Sequence, residues 1–288
     1  MNKHVLLTIS DDSSAMQAVR FLVKFFHNFT HLHVTMLYVT SNPKAGLNNA
    51  EILDDFGNLQ RREQHVKAHA EAALSKAVDF LCVSGFPEHN IHKKIAFKQL
   101  GTAHDIVQEG ISGLYDAIAL GRRGLSRLEE LLAESVSKQV FVTPIETPLW
   151  ICRNQTRFSP HVLLCTDGSP ASLRCADHVG FMLKDEPEHK ITIAHVQAQS
   201  GADISVEAFA GARRMLEENG IGADRISEHR ASGKNISDAI VCLAREGNYG
   251  VVATGRTGRG ESKLKRVLGS VSMHLLRHLD SASLWISH

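Results

Sequence analysis

The stretch from Gly255 to Ser270 reads GRTGRGESKLKRVLGS. Its residue types suit the capture of phosphate. Gly255 and Gly258 permit positive φ and let backbone N–H groups come close to phosphate oxygens. Gly269 and Ser270 are placed to open a helix, whose unpaired N–H groups and positive dipole end suit an anion, with the Ser hydroxyl adding another bond. Arg256, Arg259, Lys263, Lys265 and Arg266 can offset a polyphosphate charge, although most of such a run reads as a solvated face. A second stretch, Cys165-Thr166-Asp167-Gly168-Ser169, ends an apolar run with a carboxylate. An Asp fixed there can accept hydrogen bonds from ribose hydroxyls or hold a divalent cation. Plainer readings stand beside these: Asp167 as an N-cap or Asx-turn, and the glycines as shapers of a strand-to-helix turn.

Both stretches have counterparts earlier in the chain. HVLL occurs at 4–7 and again at 161–164, HVTMLYVT (33–40) answers ITIAHVQA (191–198), AIALGRRG (117–124) answers VVATGRTG (251–258), and PLWIC (148–152) answers SLWIS (283–287). Landmarks in the same order imply a tandem duplication. The boundary falls near RNQTRFSP (153–160), giving domains at 1–153 and 158–288. The copies differ where the chemistry sits. The second has ten residues between Gly258 and Gly269, so its loop must bulge or its helix start one place later. The first reads GRRGLSRLEELLAES, with nine residues between Gly124 and Glu134, but Glu134 stands where a glycine is needed. Its other turn reads Ile9-Ser10-Asp11-Asp12, with Ser10 in place of the Asp and Asp11 in place of the Gly. Two like charges about 4 Å apart repel by roughly 1–4 kcal/mol near a protein surface or in water. The first copy is therefore expected to be a structural partner or a site for a different ligand.

The elements that must position these residues alternate. Each half reads β-α-β-α-β-α-β-α-β, with strands that are apolar runs rather than alternating ones, as when helices cover both faces. The fold class is α/β: two tandem doubly wound parallel five-stranded sheets with right-handed crossovers. Ligands in such sheets bind outside the carboxyl ends of the strands, at the switch point, so the two chemical loops should face each other. The first half carries an insertion at 41–64 whose Gly, Asn and Pro content reads as a loop or lid, followed by a helix through 65–81.

The pattern G-x2-G-x9-G-[ST] after the fourth strand, with Asp167-Gly168-Ser169 after the first, resembles that of the universal stress protein family. The tandem two-domain form of that family covers essentially the whole chain. The resemblance implies an adenine nucleotide alpha hydrolase-like fold with strand order 3-2-1-4-5, the fifth strand packing across the two domains. It also implies that one branch of the family binds ATP and another does not. Carried onto this chain, Asp167 takes the family's Asp near ribose and metal, with Cys165 and Thr166 beside it, and Val196 takes the residue beside adenine. Thr254 through Gly258, Arg259, Gly269, Ser270 and Val271 take the phosphate and adenine contacts. The implied ligand is ATP, AMP or ADP, with Mg2+ accompanying the polyphosphate.

Composition narrows the rest. The formal net charge of +1 raises no basic field toward nucleic acid. No apolar run approaches the ~18 residues that span a membrane. Five cysteines without a C-x-x-C pair fit a reducing compartment, and a cytoplasmic location is expected. His65 and His69, and His274 and His278, sit at i, i+4 but show no third ligand nearby in sequence. His27, His31 and His33 read as surface residues near a strand start, so no metal site is expected. Cys165 reads as a packing residue, and no catalytic group stands out: neither a Walker A loop nor a base aimed at a γ-phosphate is present. Three functions remain open: a nucleotide-binding stress-response regulator or stabiliser acting on an unidentified protein, a slow ATPase, and a scaffold or binder of another small molecule. The two halves form an intramolecular pseudo-dimer, and two chains can pair further as a homodimer.

Overall fold

The structure, a computed structural model, describes residues 1–11, 16–121, 126, 146–154, 158–198, 205–258 and 268–288. The strands of the first half are β1 (Lys3–Ile9), β2 (Leu32–Thr40), β3 (Ile91–Phe97), β4 (Ala117–Leu120) and β5 (Leu149–Ile151). Those of the second are β6 (Val162–Cys165), β7 (Ile191–Ala198), β8 (Ile226–Gly233), β9 (Val251–Gly255) and β10 (Ser283–Ser287). The helices are α1 (Met16–Phe25), α2 (Asn49–Asp54), α3 (Phe56–Val83), α4 (Thr102–Ser112), α5 (Pro170–Leu183), α6 (Ser205–Glu218), α7 (Ile236–Glu246) and α8 (Ser270–His278).

Each half has the strand order 3-2-1-4-5 expected of it, and the two five-stranded sheets merge into one. The order across it is β3-β2-β1-β4-β5-β10-β9-β6-β7-β8. All pairings are parallel except β5 with β10. At that antiparallel seam Trp150 faces Trp285, and their rings stack at 4.2 Å and 5°. Central strands such as Val162–Cys165 and Val251–Gly255 are buried throughout because helices cover both faces. The outer strands β3 and β8 carry exposed Lys93, Lys94, Glu228 and Arg230, which discourage further strand addition. One core layer, under α1, α3, α5 and α6, runs from Leu22 and Leu74 through both tryptophans to Val179 and Leu216. The other lies under α4, α7 and α8 and includes Ile106, Ile118, Leu284, Ile240 and Leu275.

The duplication extends to a turn that strand and motif reading passed over. Gly113 caps α4, Leu114 takes positive φ (53°), and the Tyr115 ring folds back so closely that a Cβ on Gly113 would lie 2.1 Å from it. Gly247, Asn248 (φ 50°) and Tyr249 repeat this after α7, with a 2.2 Å approach. In both places the residue after the glycine, not the glycine, takes the left-handed conformation.

The insertion corrects one expectation. Residues 41–64 are not loop throughout: α2 starts at Asn49 and α3 at Phe56. Asn48 accepts from the backbone N–H of Glu51, and Glu51 accepts from that of Asn48, a reciprocal capping box that starts the helix. Local capping outweighed the Gly, Asn and Pro content nearby. Among the described residues, no helix is long and apolar enough to cross a membrane.

Candidate nucleotide site and its counterpart

In the second half, β6 and β9 are neighbours, with Cys165 opposite Thr254, so the two chemical loops do face each other. Ser169 caps α5, accepting from the Ser172 N–H (3.2 Å), and Pro170 occupies the first helical turn. Gly168 takes φ +70°. Asp167 Oδ1 accepts from the Ser169 N–H (3.0 Å), so the plain Asx-turn reading is correct. It does not exhaust the residue, because a Cβ on Gly258 would lie 3.0 Å from Asp167 Oδ2. The second carboxylate oxygen thus faces the glycine loop, and Gly258 leaves room beside it. Gly255 is a close-approach glycine: its Cβ would stand 2.7 Å from the Ala171 carbonyl carbon and 2.7 Å from the Ser172 nitrogen.

The other loop is closed at its base. The Gly269 N–H donates to the Arg256 carbonyl (2.7 Å), and the Ser272 hydroxyl donates to the carbonyls of Gly255 (2.9 Å) and Arg256 (3.2 Å). Gly269 is the N-cap of α8, which begins at Ser270, so the helix starts where the motif puts it. The extra residue therefore falls between the two anchored ends. Loop-closure entropy rises slowly with length, so one more residue costs little. Thr166, Thr254, Cys165 and Val196 are buried around the strand ends. Burial, with Cys175 alongside, pushes the Cys165 thiol well up, which suits packing rather than nucleophilic attack. Half-buried Arg256 has its pKa lowered by the loss of water. Ser270 and Val271 occupy the first turn of α8. Arg259, Gly260, Lys263, Lys265 and Arg266 lie outside the described residues, as do Asp12, Gly124 and Glu134.

Sequence reasoning missed three supports of this site. His195 is buried and its Nδ1 donates to the Thr166 carbonyl (2.8 Å), holding the end of β6. The Ser172 and Thr166 hydroxyls lie 3.2 Å apart. Ser272 ties α8 to β9. The G-[ST]-x-S spacing could have suggested Ser272; nothing local marks His195.

The first half places a cavity of about 520 Å3 at the equivalent strand ends, between β1, β2, Gly121 and α4. Its outer wall is α3, through His65, Val66 and His69. Of the 28 residues of α3, against 14 in α6, only those at 56–64 come from the insertion, which lengthens the helix that forms the wall. Asp11 carries the polar chemistry: the Tyr38 hydroxyl donates to it, and His69 Nδ1 lies 3.2 Å from Oδ1. His65 and His69 thus both face the cavity, and a carboxylate occupies the place where the second half has Gly168. The other histidine pair is engaged elsewhere, His274 with Asp238 (2.9 Å) and His278 with the His274 carbonyl (3.0 Å).

The universal stress protein family model matches residues 1–151 and 159–284. A universal stress protein from Archaeoglobus fulgidus DSM 4304 superposes with a TM-score of 0.67 at 20% identity, covering 99% of this chain and 97% of its own. A functionally unknown protein from Pseudomonas aeruginosa PAO1 does so with a TM-score of 0.53 at 12% identity, covering 99% and 92%. At these identities the likeness is one of fold. A universal stress protein crystallised with cAMP shares 26% identity over 44% of this chain and 95% of its own, with a TM-score of 0.37. No curated protein matched by sequence. With the family model matched on both halves and the expected strand order in each, the chain belongs to the universal stress protein family.

Proposed function

We propose that residues 158–288 form a domain that binds an adenine nucleotide, ATP above AMP or ADP, and that residues 1–153 form a domain that does not. The observation that carries this reading is the 3.0 Å approach of a Gly258 Cβ to Asp167 Oδ2: a cradle that any side chain would fill lies beside a carboxylate at the switch point. The residues fit the group. Asp167 would accept from ribose hydroxyls or hold Mg2+, Cys165, Thr166 and Val196 would border the base, and the backbone of Thr254 to Gly258 would approach the phosphates. Ser270 and Val271 would offer N–H groups at a helix N-terminus, Gly269 would leave room for the phosphate while its own N–H holds the Arg256 carbonyl, and Arg259 would offset charge. The nucleotide would supply a polyanion for these backbone N–H groups to hold. The bound form is then read by a protein partner, and the protein acts as a stress-response regulator or stabiliser in the cytoplasm.

A second reading is favoured by the first-half cavity. About 520 Å3 is ample for a small molecule. Asp11 with Tyr38 and His69 suits a neutral or cationic ligand bearing hydroxyl or amine donors, not a phosphate. Calorimetry with ATP and with AMP, on the natural protein and on Gly269→Glu, tests the main reading. Heat of ATP binding that disappears in the variant supports it; silence from both proteins leaves only the second.

A further inference from the structure

The amino-terminal side of the sheet, away from the two sites at the carboxyl ends of the strands, carries a cluster that neither site uses. The end of α1 and the turn after it (Phe25 to Asn28) meet the turn between α5 and β7 (Glu186 to His189). Glu186, 2% exposed, accepts from the backbone N–H of His27 (3.0 Å to Oε2, 3.2 Å to Oε1) and of Asn28 (3.0 Å). His189 is fully buried, and its Nε2 donates to the Phe25 carbonyl (2.7 Å). That bond leaves Nδ1 as the lone-pair nitrogen. Nδ1 has no hydrogen-bond partner among the described residues and lies 3.9 Å from Glu186 Oε2. His27 Nδ1 stands 3.8 Å from the same oxygen. The three ligand atoms all lie within 4.8 Å of one another.

We infer that His27, Glu186 and His189 bind one divalent transition-metal ion of the zinc type, clasping the first half to the second. The buried lone pair faces a carboxylate oxygen across 3.9 Å, and a cation between them would satisfy both. Two imidazole nitrogens and one carboxylate are a zinc-like ligand set, unlike the all-oxygen sets of Mg2+ and Ca2+. The supporting shell is in place, because a backbone carbonyl orients His189 and backbone N–H groups orient Glu186. Burial pushes the His189 imidazole down to about 4, so it is neutral and able to ligate near pH 7. Bonds of about 2.0–2.2 Å in a tetrahedral site place ligand atoms roughly 3.3–3.6 Å apart, so each gap must close slightly. His27, whose side chain is 55% exposed, can move to close it, and solvent can fill the fourth position. Arg225 braces the same turn, donating to the carbonyls of His189 (2.9 Å), Leu183 (3.1 Å) and Glu186 (2.7 Å). Its charge opposes a cation and sets a limit on affinity.

Calorimetric titration of the chelator-stripped full chain with Zn2+ and with Mg2+ tests this, alongside thermal unfolding with and without each ion. The expected result is one Zn2+ per chain, a higher thermal midpoint with Zn2+, and neither effect with Mg2+. His27→Ala, at an exposed position, should keep its metal-free midpoint and bind Zn2+ at least about tenfold more weakly. His274→Ala should bind as the natural protein does. Zn2+ affinity unchanged in His27→Ala, or no one-equivalent binding at all, overturns the inference. Both readouts are independent of nucleotide.

Discussion

The two strand-end sites are the same address in two copies of one fold, and they have diverged in opposite directions. In the second half an Asp, two glycines and a helix start converge, and the side chains nearby are small. In the first half a carboxylate replaces the turn glycine, a tyrosine and a histidine bind it, and a lengthened helix walls a cavity beside it. Duplication preserved the backbone address while the side chains at it changed. The seam diverged as well. Trp150 Nε1 donates to His178 Nε2 (3.0 Å). Phe21 from α1 packs edge-on against Trp285, and the Trp285 indole N–H has no hydrogen-bond partner among the described residues.

Gly255→Val should have the largest effect. Its side chain would meet the α5 backbone, which cannot give way, and about 3 kcal/mol of stability should be lost in urea unfolding. Gly269→Glu copies into the second half the change seen at Glu134. It should weaken ATP by about 100-fold, roughly 2.7 kcal/mol, with little change in the urea midpoint, which separates binding from folding. His178→Phe should make the seam alike on both sides, leaving the Trp150 N–H unpaired at a cost of about 1–3 kcal/mol near pH 7. The same variant tests a pH dependence. Burial lowers the folded His178 pKa to about 3, whereas the unfolded value is about 6.5. The unfolded chain therefore binds the extra proton, and stability should fall as pH drops below about 6.5. The slope is on the order of 1.4 kcal/mol per pH unit, levelling near pH 3. In His178→Phe that acid limb should be shallower. Asp167→Asn should weaken ATP by about tenfold. Asp11→Asn should leave ATP affinity within about twofold, and a large loss there would place nucleotide in the first half.

Much of this was legible in the chain. The strands, the repeat and the facing of the two second-half loops follow from apolar runs and turn residues. The start of α8 at Ser270 follows from Gly269, whatever the length of the preceding loop. The capping box of Asn48 and Glu51 was also legible, but loop-forming composition around it masked the signal. His195 and the Tyr38–Asp11 contact were not. Their partners lie 29 and 27 residues away in sequence, and only the sheet and helix packing bring them together.

Local spacing sets the sheet type, the duplication and the identity of the residues at each strand end. Turns, caps and strand periodicity are settled within a few residues, so local spacing suffices for them. Long-range packing makes α3 wall a cavity in the first half, brings His27 to Glu186 and His189, and stacks Trp150 on Trp285. These depend on pairings between segments far apart in the chain, and no local pattern records which distant surface will supply the missing contact.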